Sequence, residues 1–82
     1  MPNKEDLLTV ALAISSGKVL ESAQELLDMD ELVNARAYLA GALGAMLHDE
    51  TISIQDGEKY FAILNVPPED MERYRSTSKN LS

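Results

Sequence analysis

The chain has no cysteine, no tryptophan and only one histidine, His48. Without cysteine it has no disulfide, no thiolate metal site and no thiol nucleophile. A single histidine also excludes a zinc site built from several histidines. The chain has 82 residues. A domain of this size buries only about 60% of the surface that its unfolded chain exposes, so such chains often rely on a disulfide, a metal or a partner. We therefore expect self-association or partner binding to supply the extra stability.

Positive charge is scarce as well, since seven Lys and Arg against fourteen Asp and Glu give a net charge of -7. Phosphate binding needs clustered basic residues, so we expect no direct nucleic-acid ligand. The charge disfavours an anionic membrane surface, and no apolar run reaches the length of about 18 residues that a transmembrane helix needs. We expect no signal peptide in the acidic start of the chain, and a cytoplasmic location. A basic protein is the partner that this charge suits.

Apolar residues recur at helical spacing along most of the chain, and this pattern predicts an all-α fold. We expect a small bundle of four to five helices, with a single domain at residues 1–75 and a disordered polar tail at residues 76–82. Asn3 is the expected N-cap of the first helix, and Gly17 is expected to end it. The predicted helices cover approximately residues 4–16, 18–27, 29–48, 54–65 and 69–75.

Residues 51–64 also allow a second interpretation. The dipeptide Asp56-Gly57 between two apolar stretches is typical of a β-hairpin. Against this, Ser53 followed by Asp56 resembles a helix capping box, and the apolar residues after Gly57 do not alternate as in a half-exposed strand. We favour the helix over the hairpin.

The long predicted helix at residues 29–48 is expected to begin at a capping box. In this interpretation Asp28 is the N-cap and the side chain of Glu31 reaches back to it. The helix also contains Gly41 and Gly44. Each costs about 1 kcal/mol relative to alanine inside a helix, so something must offset them.

Small residues at four-residue spacing allow two helix backbones to come close together, and this is the use that we predict for the glycines. The contact lies either within the monomer, against the first or fourth helix, or between two copies of the chain. Ala40 and Gly44 form a second small pair beside the main row. The predicted helix-packing or dimer interface is Ala37, Gly41, Gly44 and Ala45.

Acidic side chains one helical turn apart form a row on the second helix and continue into the next turn. Their spacing of about 6 Å is close to that of successive phosphates, so such a face can imitate a nucleic-acid backbone. A solvated outer face explains the same pattern more simply. The predicted acidic partner-binding face is Glu21, Glu25, Asp28, Asp30 and Glu31.

No group of residues predicts catalysis, a metal site or a cofactor. His48 with Asp49 and Glu50 is the only histidine–carboxylate cluster, and a role at the helix C-terminus explains His48 better than catalysis does. The sequence favours a small, acidic, non-enzymatic protein–protein interaction module that forms a homodimer. The alternative is an acidic regulator or inhibitor of the viral or mobile-element type, which mimics nucleic acid and blocks a basic nucleic-acid-binding partner.

Overall fold

The computed structural model describes residues 2–14 and 16–81, with side chains as far as Ser76, and all its regular structure in these ranges is helical. The predicted all-α bundle is confirmed. The hairpin alternative at residues 51–64 is wrong, because Ser53 caps a helix there by accepting a hydrogen bond from the backbone N–H of Asp56. The helices are α1 (Lys4–Ala13), α2 (Gly17–Asp28), α3 (Leu32–His48), α4 (Ile54–Ile63) and α5 (Pro68–Leu81).

The starts of the first two helices are set by side-chain caps. The Asn3 side chain accepts from the backbone N–H of Asp6, as predicted. The prediction that Gly17 ends the first helix is wrong, since α1 ends at Ala13 and Gly17 is the first residue of α2, capped by Ser16. The chain leaves α1 in an extended conformation at Ile14, which buries the Ile14 side chain in the core.

The predicted capping box between the second and third helices is also wrong. Asp28 is the last residue of α2, and α3 begins only at Leu32, with Glu31 at the N-cap and no side-chain cap bond. The backbone N–H of Glu31 instead donates to the carbonyl of Leu26, and Asp30 has a φ of 57°. This is a Schellman-type ending, in which the left-handed residue lets the chain satisfy the last carbonyls of α2.

The same ending recurs after α3 and α4. Glu50 and Asn65 have φ angles of 59° and 60°, and the residue after each donates back across the helix end. None of the three left-handed positions is a glycine, so the glycines of this chain serve another purpose. The predicted ends at residues 27, 48 and 65 lie within two residues of the observed ends at Asp28, His48 and Ile63, but the left-handed residues that follow were not predicted.

The fifth helix is longer than predicted, since it extends to Leu81 instead of ending near residue 75. Met71 is buried and the Tyr74 ring stacks on Phe61, with centroids 5.9 Å apart. These two anchors lie one helical turn apart, on the same side of α5. The division into a domain at residues 1–75 and a disordered tail at 76–82 stays a prediction, and the side chains of 77–82 lie outside the described part.

The core is aliphatic and is arranged around α3, which packs against all four other helices. No polar or charged side chain is buried among the described residues. The contact with α5 is the most extensive of the bundle. The largest fully buried side chains are Phe61, Leu7, Leu39, Leu43, Leu64 and Val10.

Gly44 is where α3 and α5 come closest. A Cβ atom built on Gly44 would lie 2.8 Å from both the carbonyl carbon and the oxygen of Tyr74. The predicted close approach is therefore present at this residue, but its partner is α5 and not the first or fourth helix. Gly57 of α4 is similarly confined, because its Cβ would lie 2.7 Å from a methyl carbon of Leu47.

We predict opposite effects for alanine at the two glycines of α3. Gly44→Ala forces backbone movement of α5 and should lower the free energy of unfolding by about 1–3 kcal/mol. Gly41→Ala meets no neighbour within 4 Å and should raise it by up to about 1 kcal/mol through better helix propensity. Urea unfolding of dilute protein measures both, and a stabilised Gly44→Ala would contradict the packing described above.

Arg36 joins α3 to the junction of α4 and α5. Its Nε donates to the carbonyl of Leu64 at 2.7 Å, and one Nη donates to the carbonyl of Asn65 at 3.0 Å. These carbonyls lie at the end of α4, where the last carbonyl groups have no intrahelical N–H donor. The side chain thus caps α4 from a different helix and fixes where the chain turns toward α5.

Replacing Arg36 with methionine should lower the free energy of unfolding by about 1–3 kcal/mol, because two charge-assisted hydrogen bonds are lost while the aliphatic stem is kept. Lys18→Met is the matched control, since it removes one exposed positive charge that makes no such bond. Equal stabilities of the two variants in urea would show that the Arg36 bonds contribute nothing.

Candidate protein-interaction surfaces

One side of α3 is exposed and carries no charge. We call it the α3 surface and define it by a row of four residues, one turn apart: Val33, Ala37, Gly41 and Ala45. Val33 is 70% exposed, Ala37 is exposed, and the other two are half-buried. The only Lys, Arg, Asp or Glu between Leu32 and Leu47 is Arg36, which is bonded to the α4–α5 junction. The α3 surface therefore presents apolar atoms to solvent.

Gly41 differs from the other two interior glycines, because no described atom outside its chain neighbours and its own helix backbone lies within 4 Å of a Cβ built on it. Gly44 and Gly57 are explained by tight contacts inside the molecule, and Gly41 is not. The helix cost of about 1 kcal/mol at Gly41 is thus not offset by any contact in the described monomer.

The predicted interface residues consequently separate into two groups. Gly44 packs inside the monomer, while Ala37, Gly41 and Ala45 lie on the α3 surface. Val33 is not among the predicted interface residues, which are all Ala or Gly. The signal for it was present, since Val33 lies four residues before Ala37 and continues the same face of the helix.

All five residues of the predicted acidic face are exposed, but they do not act alike. The Oδ1 atom of Asp30 lies 3.0 Å from the Nζ of Lys4, which ties the α2–α3 turn to α1. Glu31 accepts a long hydrogen bond from the Asn34 amide at 3.5 Å.

The three acidic residues of α2 form the second candidate surface, which we call the α2 acidic row: Glu21, Glu25 and Asp28. Their spacing of four and three residues places them on one side of the helix. None of them forms an ion pair with any cation in the described ranges. The row is thus an uncompensated line of negative charge.

An open groove of about 470 Å³ lies between α1 and α2, lined by Lys4, Leu8, Gln24, Leu27 and Asp28. Its polar groups do not converge on one point, since the ammonium of Lys4 is bonded to Asp30 outside the groove. Catalysis needs a nucleophile or acid held within hydrogen-bond reach of a base. No such pair lines this groove.

His48 is the last residue of α3, half-buried, and the exposed Asp49 and Glu50 follow it in the turn. This position is favourable for a cation because of the helix dipole. The described residues include no group of three His, Asp or Glu side chains arranged to hold a metal ion. Within the same ranges, no helix combines the length and the apolar character that crossing a bilayer requires.

Comparison of the chain with protein-family models, with curated proteins and with solved structures gives no match.

Proposed function

We propose that the chain is a small, non-enzymatic protein–protein interaction module of the cytoplasm that associates with itself through the α3 surface. The observation that carries the proposal is the open space at Gly41, in a helix where the other glycine is used for close packing. A contact between copies at this point would offset the helix cost of Gly41. It would also cover Val33, the most exposed large apolar side chain among the described residues.

Charge restricts where two copies of this chain can meet. Two chains of net charge -7 repel each other, so they can meet only where few charges face the contact. The α3 surface meets this condition. A basic partner, in contrast, would be drawn to the α2 acidic row, on a different helix.

The proposed dimer is weak. A contact made by one helix face is smaller than the standard protein–protein interface of about 1,600 Å², so we expect a dissociation constant between about 1 µM and 1 mM. Association of this strength is reversible and varies with the concentration of the chain.

Light scattering over a concentration series tests the proposal, with the mass expected to rise from monomer to dimer. Val33→Glu should abolish the rise, because it places two carboxylates in an apolar contact. Leu12→Glu on α1, where the native side chain is 60% exposed, is the matched control and should dimerise as the native chain does. A native chain that stays monomeric up to about 1 mM would rule out self-association.

A second candidate function follows from the α2 acidic row. Glu21, Glu25 and Asp28 are exposed, unpaired within the described ranges and about one turn apart, at a spacing close to that of phosphates along a strand. In this alternative the chain is an acidic regulator or inhibitor that occupies the basic groove of a nucleic-acid-binding protein. The contact would be electrostatic, so added salt should weaken it.

Reversing all three charges of the row, as Glu21→Lys, Glu25→Lys and Asp28→Lys, should abolish capture of such a partner from an extract. The control reverses three other exposed acids, Asp49, Glu58 and Glu69, for the same change in net charge. The alternative requires that the captured protein bind nucleic acid and that added polynucleotide displace the chain from it. Equal capture by both triple variants would rule out the row as the binding face.

A further inference from the structure

We infer that the groove between α1 and α2 receives a basic amphipathic helix of a protein partner, whose apolar side chains cover Leu8 and Leu12 and whose cations lie beside the α2 acidic row. This groove is separate from the α3 surface, so the inference goes beyond the proposed self-association. It also reverses the roles of the second candidate function, because here this chain supplies the groove and the partner supplies the inserted element.

The groove lies between two antiparallel helices. Only residues 14–16 connect α1 to α2, and the ion pair of 3.0 Å between Lys4 and Asp30 holds the start of α1 against the turn that follows α2. Leu27, which is buried, and Leu8, which is half-buried, line an open space of about 470 Å³. This volume is within the range of about 300–1,000 Å³ found for ligand sites.

Leu12 continues the apolar side of α1 past the groove. It lies four residues after Leu8, so the two side chains are on the same side of the helix and about one turn apart. The Leu12 side chain is 60% exposed. Apolar side chains one turn apart on a partner would remove Leu8 and Leu12 from water together, and this burial would stabilise the complex.

The α2 side of the groove carries the charge that selects the partner. Gln24 and Asp28 line the groove, and all three acids of the α2 acidic row lie within about 100° of Gln24 around the helix. Those acids have no ion pair within the described ranges. Negative charge thus borders the apolar groove along one side, and a partner with cations at one-turn spacing complements it.

A helix fits this groove better than an extended segment does. Both sides of the groove are helices, whose backbone groups bond within each helix, so they offer no row of donors and acceptors to an extended peptide. A helix satisfies its own backbone. It also presents side chains about 6 Å apart, which is the spacing of Leu8 and Leu12 and of the acidic row.

Charge argues against nucleic acid and against a second copy as the occupant. A chain of net charge -7 repels phosphate groups. Among the described residues, Arg73 and Arg75 lie on α5, whose apolar anchors Met71 and Tyr74 already pack on the bundle. No helix in the described ranges combines several cations with an exposed apolar side, so a second copy does not supply the element that fits the groove.

A synthetic helix tests the inference. The probe has about 18 residues, with leucines one turn apart along one side and lysines one turn apart beside them. Fluorescence anisotropy of the labelled peptide gives its dissociation constant, and circular dichroism gives its helicity. We expect the native chain to bind it at between about 1 and 100 µM with a gain in helicity, and a scrambled peptide of the same composition to bind at least about 10-fold more weakly.

Leu12→Gln tests the apolar side of the groove. It should weaken binding of the peptide about 10-fold, because the apolar contact at this position is lost. Ile54→Gln on α4 is the matched control, since Ile54 is 54% exposed and lies outside the groove. It should bind the peptide as the native chain does.

The double variant Glu21→Gln and Glu25→Gln tests the charge. It should bind the peptide more weakly and with less dependence on salt than the native chain, because two unpaired carboxylates beside the groove are lost. Glu58→Gln with Glu69→Gln removes the same charge at exposed positions of α4 and α5 and should have a smaller effect.

Four results would overturn the inference: binding with no gain in helicity, equal binding of the scrambled peptide, equal losses in Leu12→Gln and Ile54→Gln, or equal losses in the two double variants. Val33→Glu, which blocks the proposed contact between copies, should bind the peptide as the native chain does. Loss of binding in Val33→Glu would place the helix on the α3 surface instead. A chain that dimerises without binding the peptide overturns this inference alone, and a monomer that binds it overturns self-association alone.

Discussion

The approach of α5 to Gly44 determines which side of α3 belongs to the core and which is left to solvent. Only a residue without a side chain lets the backbone at Tyr74 come this close. The close approach holds α5 where the Tyr74 ring stacks on Phe61 and where Met71 is buried. One side of α3 is thus covered by α5. The neighbouring flank, where Gly41 faces open space among the described residues, is the α3 surface.

Arg36 and Gly44 act together along this contact. Arg36, near the start of α3, donates hydrogen bonds to the carbonyls of Leu64 and Asn65. Gly44, about two turns later on α3, contacts the backbone of Tyr74. These two points show that α5 runs in the same direction as α3. Contacts at these two positions fix the direction in which α5 crosses α3. Both contacts join residues that are far apart in the chain, and neither leaves a signature in the local sequence.

The number, type and approximate positions of the helices could be predicted from the sequence, because apolar periodicity and the caps at Asn3 and Ser53 are local signals. The left-handed conformations at Asp30, Glu50 and Asn65 could not, since a left-handed residue that is not glycine has no distinctive pattern. The pattern Asp28-x-x-Glu31 predicted a helix start where the structure has the end of α2. Satisfying the last carbonyls of α2 and burying Leu27 outweighed a cap on exposed side chains.

The different environments of the two α3 glycines could not be predicted from the local sequence. Gly41 and Gly44 are three residues apart and look equivalent in the sequence, but at 100° per residue their positions differ by about 60° around the helix. That angle separates a glycine packed against α5 from one that faces open space. The position of α5 on α3 determines which of the two glycines is packed and which is exposed to open space. The position of α5 therefore accounts for Gly44, whereas the helix cost of Gly41 is offset by no contact among the described residues.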